Sequence, residues 1–250
     1  MNKIKYIVLL VLISTRLFGQ YAFEKYPAPN YEYASDWKET DTDSLCFAEI
    51  NIDSIIGNYN ILIRLRADKA FNNDSQIEIL RNGKEINQWQ EDAIFAISNG
   101  INVFDSVRIA DFNGDHLKDV KMVFNCMGNG AEGGLLATIV YLIQKADKSF
   151  MKISYQDHMI DGRRDERDMN NDGTYEIITR SFVRYENHTY WLFNLYNIVD
   201  NDVVCVNKEF DYPIMVQFLY RPNYEITNKI SREKMKEFEL KKPEFLMINE

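Results

Sequence analysis

Cysteine and histidine are scarce in this chain of 250 residues, with three of each. The cysteines, Cys46, Cys126 and Cys205, match no zinc-ligand spacing and allow at most one intrachain disulfide; each stands in an apolar, strand-like setting that suits a buried thiol. His116, His158 and His188 fall in no metalloprotease or triad motif. Positive charge is short as well: 29 Lys and Arg face 38 Asp and Glu, a net charge of -9. Such a surface repels phosphate backbones and anionic lipids, so nucleic acid is not an expected partner, whereas cations and basic proteins are. No apolar run reaches the ~20 residues a membrane helix needs. The glycine-rich stretch CMGNGAEGG, residues 126–134, lacks the Gly-Lys-Ser/Thr ending of a phosphate cradle and reads as a loop, with Glu132 at its tip as a candidate contact to a protein partner.

At the start, Lys3 and Lys5 precede the apolar run Tyr6 to Ile13, Arg16 interrupts it, and Leu17-Phe18-Gly19-Gln20 closes it. This is the pattern of a secretory signal peptide over residues 1–20. A secreted or periplasmic product without a membrane span is expected, and no cysteine near the cleavage point offers a lipid attachment site. Removal takes away Lys3, Lys5 and Arg16 and no acidic residue, which moves the net charge from -9 to -12.

Residues 21–40, with Pro27 and Pro29 among aromatics, have no period and read as an extended segment. Beyond it, short alternating or β-branched runs predict an all-β fold over 41–250: strands at 45–52, 59–66, 76–81, 85–89, 103–109, 120–125, 136–143, 175–183, 189–196 and 203–206. Asn82-Gly83 predicts a type I′ hairpin, and Ala146-Asp147-Lys148 a second, longer one. Ser231 caps one short helix near the end, whose Met235, Phe238 and Leu240 would face the core. Tyr185, Tyr190, Trp191 and Tyr196 read first as strand packing. The charged run DGRRDERD, residues 161–168, reads as a solvated loop whose arginines partly balance the carboxylates of the acidic segments 111–119 and 168–176.

Two segments share one chemical pattern. DFNGDHLKD places oxygen-bearing side chains at Asp111, Asn113, Asp115 and Asp119; DMNNDGTYE repeats them at Asp168, Asn170, Asp172 and Glu176, 57 residues later. Calcium takes about six to eight hard oxygen ligands, and a tightly curled loop aims its first, third and fifth side chains inward and offers the seventh carbonyl. Leu117 and Thr174 hold that seventh place, and the ninth-place carboxylate opens a strand. The twelfth places, Met122 and Thr179, cannot close an EF-hand. Gly173 suits a sharp sixth place, and His116 there predicts a more strained first loop. Asp and Asn are also ordinary turn formers; recurrence of four matched positions is what favours metal.

The stretch VRIADFNGDHLKDVKMVF resembles the calcium loop of FG-GAP or VCBS-type repeats. In the wider group it is similar to small exported bacterial proteins of propeller-like form that include calcium-binding lysozyme inhibitors and immunity proteins. The resemblance implies a small β-propeller-like domain over 41–250, an array of antiparallel hairpins with structural calcium and no catalysis. It implies an inhibitor or immunity protein against a peptidoglycan hydrolase; a surface adhesion or structural module of the envelope is the alternative.

Overall fold

The computed structural model describes residues 22–52, 56, 60–70, 75–97, 100–103, 106–125, 136–158, 164–218 and 226–250. The signal segment, Cys126 and Glu132 lie outside the described residues.

The predicted all-β character is present: the described residues form three antiparallel sheets, a two-stranded hairpin and one short helix near the end. After an edge piece, β1 (Glu32–Ala34), the chain builds a five-stranded meander from β2 (Lys38–Asp41), β3 (Leu45–Asn51), β4 (Ile61–Asp68), β5 (Gln76–Arg81) and β6 (Lys84–Gln90). In β4, ILIRLRAD buries Ile61, Ile63 and Leu65 and leaves Leu62, Arg64 and Arg66 partly exposed, as strict alternation requires when one face meets water. Asn82 and Gly83 both have positive φ, 52° and 76°, so the predicted I′ hairpin joins β5 to β6.

After the small hairpin β7 (Ala96–Ile97) and β8 (Gly100–Ile101) comes the central sheet: β9 (Val107–Ala110), β10 (Asp119–Asn125), β11 (Leu136–Gln144) and β12 (Phe150–His158), with β1 beside β9. The strand expected over 103–109 is shorter, and Val103 contributes only a single bridge to Phe124. The second predicted hairpin joins β11 to β12, with Lys148 at φ 67°. These strands are buried along most of their length because both faces are covered. Val120, Met122, Val140, Leu142 and Phe150 pack toward the first sheet, and Val123, Ile139, Tyr141, Met151 and Ile153 pack away from it.

The second face meets the third sheet, built from β13 (Ile177–Tyr185), β14 (His188–Val199), β15 (Asp202–Cys205) and β16 (Ile214–Gln217), through Ile177, Tyr196, Ile198 and Val203. Tyr190, Trp191 and Tyr196 are buried as expected. Helix α1 (Arg232–Lys236) starts at Ser231, whose hydroxyl accepts from the N–H of Lys234, and seats Met235 with Tyr190, Leu192 and Met215. The chain ends in β17 (Met247–Asn249), which adds to the free edge of β12.

Residues 22–41 cross all three layers, opening in a turn where the Tyr26 N–H donates to the Phe23 carbonyl at 3.1 Å and running extended after it. Phe23 packs at 5.4 Å from Phe193 on the outer face of the third sheet, β1 joins the central sheet, and β2 edges the first. Cys46 is buried and Cys205 partly so, both as free thiols; burial, then the hydrogen bond with Asp41, pushes Cys46 up to about 12. No helix among the described residues is long and apolar enough to cross a membrane.

Candidate metal centre

Short Asp and Asn side chains can accept hydrogen bonds from backbone N–H groups a few residues ahead, which is what curls both acidic loops. In the first, Asp111 accepts from Gly114 at 2.7 Å and His116 at 2.8 Å, Asn113 from Asp115 at 3.2 Å, and Asp115 from Leu117 at 2.8 Å. In the second, Asp168 accepts from Asp172 and Gly173, each at 3.1 Å, Asn170 from Asp172 at 3.1 Å, and Asp172 from Thr174 at 2.7 Å. The flanks correspond too: Asp119 pairs with Ala110 across the ladder, and Glu176 bridges Arg167. One local structure occurs twice.

Positive φ falls at the fourth and sixth places of both loops: 78° at Gly114 and 66° at His116, then 61° at Asn171 and 88° at Gly173. The sixth place was expected. The fourth was not, although Gly and Asn, the residues that best tolerate a left-handed backbone, mark it in the sequence. Each loop thus has one glycine for two left-handed positions, at opposite places.

The ninth residues behave differently from simple ligands. Asp119 and Glu176 are both 0% exposed and turned inward. Asp119 accepts from the N–H groups of Phe112 at 3.0 Å and Gln144 at 2.9 Å; Glu176 accepts from Met169 at 2.8 Å and from the Asn197 amide at 3.3 Å. Burial pushes the Asp119 carboxyl well above the usual range, its two N–H donors pull it back, and the charges of Asp115 and Asp111 add to the rise. Burial likewise raises Glu176.

Among the described residues, no three His, Cys, Asp or Glu side chains stand together as a ready metal cage. The inward turn of the ninth carboxylate accounts for this, together with the amide and carbonyl character of the third and seventh places. What fits a hard cation is the outer part of each loop: Asp111, Asn113, Asp115 and the Leu117 carbonyl, and Asp168, Asn170, Asp172 and the Thr174 carbonyl. Their oxygens keep lone pairs beyond the bonds described. Their charge is also unbalanced: Asp111 has only His116 at 3.7 Å, and Asp115, Asp119, Asp168, Asp172 and Glu176 ion-pair with no lysine or arginine among the described residues.

The loops touch. The N–H of Tyr175 donates to the carbonyl of Phe112 at 3.1 Å, and a Cβ built on Gly114 would lie 3.0 Å from Thr174 Oγ1. Burial first, and then the charges of Asp168 and Asp111, raise the Tyr175 hydroxyl.

Beneath the first loop, Phe112 meets the Tyr141 ring edge-on at 5.2 Å and lies 6.2 Å from Tyr31. Both tyrosine hydroxyls donate to Glu166, whose other partner is Lys121 Nζ at 2.5 Å. Lys121 also reaches the Arg164 carbonyl at 3.0 Å. Burial opposes the Glu166 charge, but Lys121 and the two hydroxyls outweigh it and hold the carboxyl below its ordinary value. The expectation of a solvated 161–168 loop is corrected here. Residues 161–163 lie outside the described residues, while Arg164 is 6% and Glu166 2% exposed. Arg164 pairs with Asp157 at 3.0 Å, and Arg167 reaches the Tyr26 carbonyl and Asp165, so neither arginine balances the loop carboxylates. Nothing in residue spacing could have announced this network, whose members come from four distant segments.

No protein-family model, no curated protein and no solved structure matches the chain.

Proposed function

We propose that this protein is an exported, non-catalytic binding protein whose two acidic loops hold calcium, and that its partner is a basic cell-wall hydrolase it inhibits or gives immunity against. The observation that carries the metal reading is the pair of loops whose hydrogen bonds match at all but one donor, Gly114 in the first and Asp172 in the second, and whose carboxylates are unbalanced. Asp111, Asn113, Asp115 and the Leu117 carbonyl would hold one ion, and Asp168, Asn170, Asp172 and the Thr174 carbonyl the other; Asp119 and Glu176 would brace the loops and add to their charge. Calcium there would neutralise like charges and fix the loops. A ligand held only by the folded state stabilises it by about 2.7 kcal/mol at a hundredfold excess over Kd.

Successive antiparallel meanders packed face to face support a propeller-like arrangement, with the first acidic loop between β9 and β10 of the central sheet and the second leading into β13 of the third. The net charge of -9 supports a basic partner. The test is thermal unfolding from residue 21 onward, in calcium and in chelator, beside Asp111→Ala and Asp168→Ala. A calcium-dependent rise in midpoint that each variant weakens is expected; no rise in the parent overturns the metal reading. Salt-sensitive binding to a basic lysozyme tests the partner, and binding to envelope glycans in its place would favour the adhesion reading.

A further inference from the structure

Along β12 the face turned toward the first sheet changes character. Phe150 is packed among apolar side chains, Lys152 follows with a buried ion pair to Glu91 at 2.8 Å, and Ser154 and Gln156 come next. Where the apolar packing stops, the layers part around a cavity of about 510 Å³. Its other walls are the segment after β6, from Glu91 to Phe95, and the C-terminal strap. The strap is tied at both ends: the Gln156 N–H donates to the Glu244 carbonyl at 3.0 Å, and Trp89 Nε1 to that of Glu250 at 3.3 Å. Between these ties Phe245, Leu246 and Met247 form the rim, with Phe245 74% and Met247 46% exposed.

Three features define what such a space would take. Its volume is in the range of small-molecule sites, roughly 300–1,000 Å³. Its wall is largely apolar but carries an unused buried polar group: Ser154 is 0% exposed, and its hydroxyl makes no hydrogen bond among the described residues. A buried hydroxyl without a partner is costly, so a ligand that supplies one gains there. Charge then narrows the class. The Glu91 carboxylate is matched by Lys152, Asp92 at the rim has no ion-pair partner among the described residues, and no described lysine, arginine or histidine lines the cavity. An anion would meet repulsion with nothing to answer it.

We propose that this cavity is a binding site for a small uncharged amphipathic molecule, with an apolar ring or chain against Phe95, Leu246 and Met247 and a polar hydrogen-bonding group on Ser154 Oγ. The site is separate from the acidic loops and does not depend on calcium.

The probes are 2-naphthol, naphthalene and 2-naphthoate, titrated calorimetrically into the chain from residue 21 onward. Saturable binding of 2-naphthol is expected, with naphthalene about fivefold weaker, the worth of one neutral hydrogen bond, and no binding of the anion. Ser154→Ala should bring 2-naphthol down to the level of naphthalene, and Gln156→Trp, at the half-buried mouth, should abolish binding of both. Unchanged melting of Gln156→Trp shows that the fold is intact; if it does not fold, Met247→Trp at the exposed rim replaces it. Absence of saturable binding, equal binding of 2-naphthoate, or binding indifferent to the mouth substitution would each overturn the proposal.

Discussion

Tyr175 and Phe112 are joined by a 3.1 Å main-chain hydrogen bond, which brings the second residue of the first acidic loop and the eighth of the second into contact. The closest approach is at Gly114. Its φ of 78° already disfavours a side chain, and a Cβ there would also press on Thr174 Oγ1 at 3.0 Å, whereas at Gly173, φ 88°, nothing stands within 4 Å. Gly173→Ala should therefore cost the left-handed penalty alone, about 1–2 kcal/mol, and Gly114→Ala should cost more. In urea unfolding with chelator present, Thr174→Ala should recover part of the Gly114→Ala loss. Equal costs for the two glycines would show that the loops do not constrain one another.

His116 occupies the left-handed place that Gly173 fills in the other loop, with φ 66° and an exposed side chain. His116→Gly should stabilise the protein by about 0.5 kcal/mol, since relief of the left-handed strain exceeds the extra freedom glycine brings to the unfolded chain. A lower urea midpoint for the variant would contradict this account of the strain.

Lys121 and Glu166 are 3% and 2% exposed on their side chains and 2.5 Å apart. Lys121→Met leaves Glu166 charged and buried with only tyrosine hydroxyls to answer it, and should cost about 3–5 kcal/mol. Adding Glu166→Gln should restore much of that loss, because the buried charge is gone, the amide oxygen still accepts from one tyrosine hydroxyl and the amide NH2 can donate to the other. A loss below 1 kcal/mol in the single variant would mean that water reaches the pair.

Burial raises the hydroxyl pKa of Tyr31, Tyr141, Tyr155 and Tyr196 far above the ordinary tyrosine value; for Tyr31 and Tyr141 the Glu166 charge adds to it. A raised folded-state pKa gives stability that is complete below the unfolded value, about 10, and lost as pH climbs above it. The protein should hold its midpoint up to about pH 10 and then lose stability steeply, with tyrosinate absorbance appearing together with unfolding. A gradual tyrosinate rise before any loss of circular dichroism would show these hydroxyls open to solvent.

The hairpins and the helix were legible because their signals are local: Asn82-Gly83 holds both positive-φ places, and Ser231 lies next to the helix it caps. The turns at Glu186-Asn187 and Asp200-Asn201 share the left-handed geometry, with φ of 45°, 63°, 49° and 66°, but carry no glycine to advertise it. The edge strands β1 and β17 were missed since three residues leave no measurable alternation, and only a neighbour's free edge turns EYA or MIN into strand. Ten positions of the candidate metal centre stood in the sequence as a spacing. That Asp119 and Glu176 point inward was not legible, because their direction depends on donors such as Gln144 and Asn197 that come from later strands.

Residues 22–41 touch every layer, and the Tyr31–Glu166 bond alone spans 135 positions of chain. Contacts of such high sequence separation form slowly, since a long loop must close before they return any energy. Folding therefore has an enforced sequence. The meanders can assemble from neighbouring strands, but the segment that clasps them precedes them in the chain and is among the last to find its place. Until it does, the outer edge of β9 has no neighbour, and an intermediate at that stage can recruit a strand from another copy.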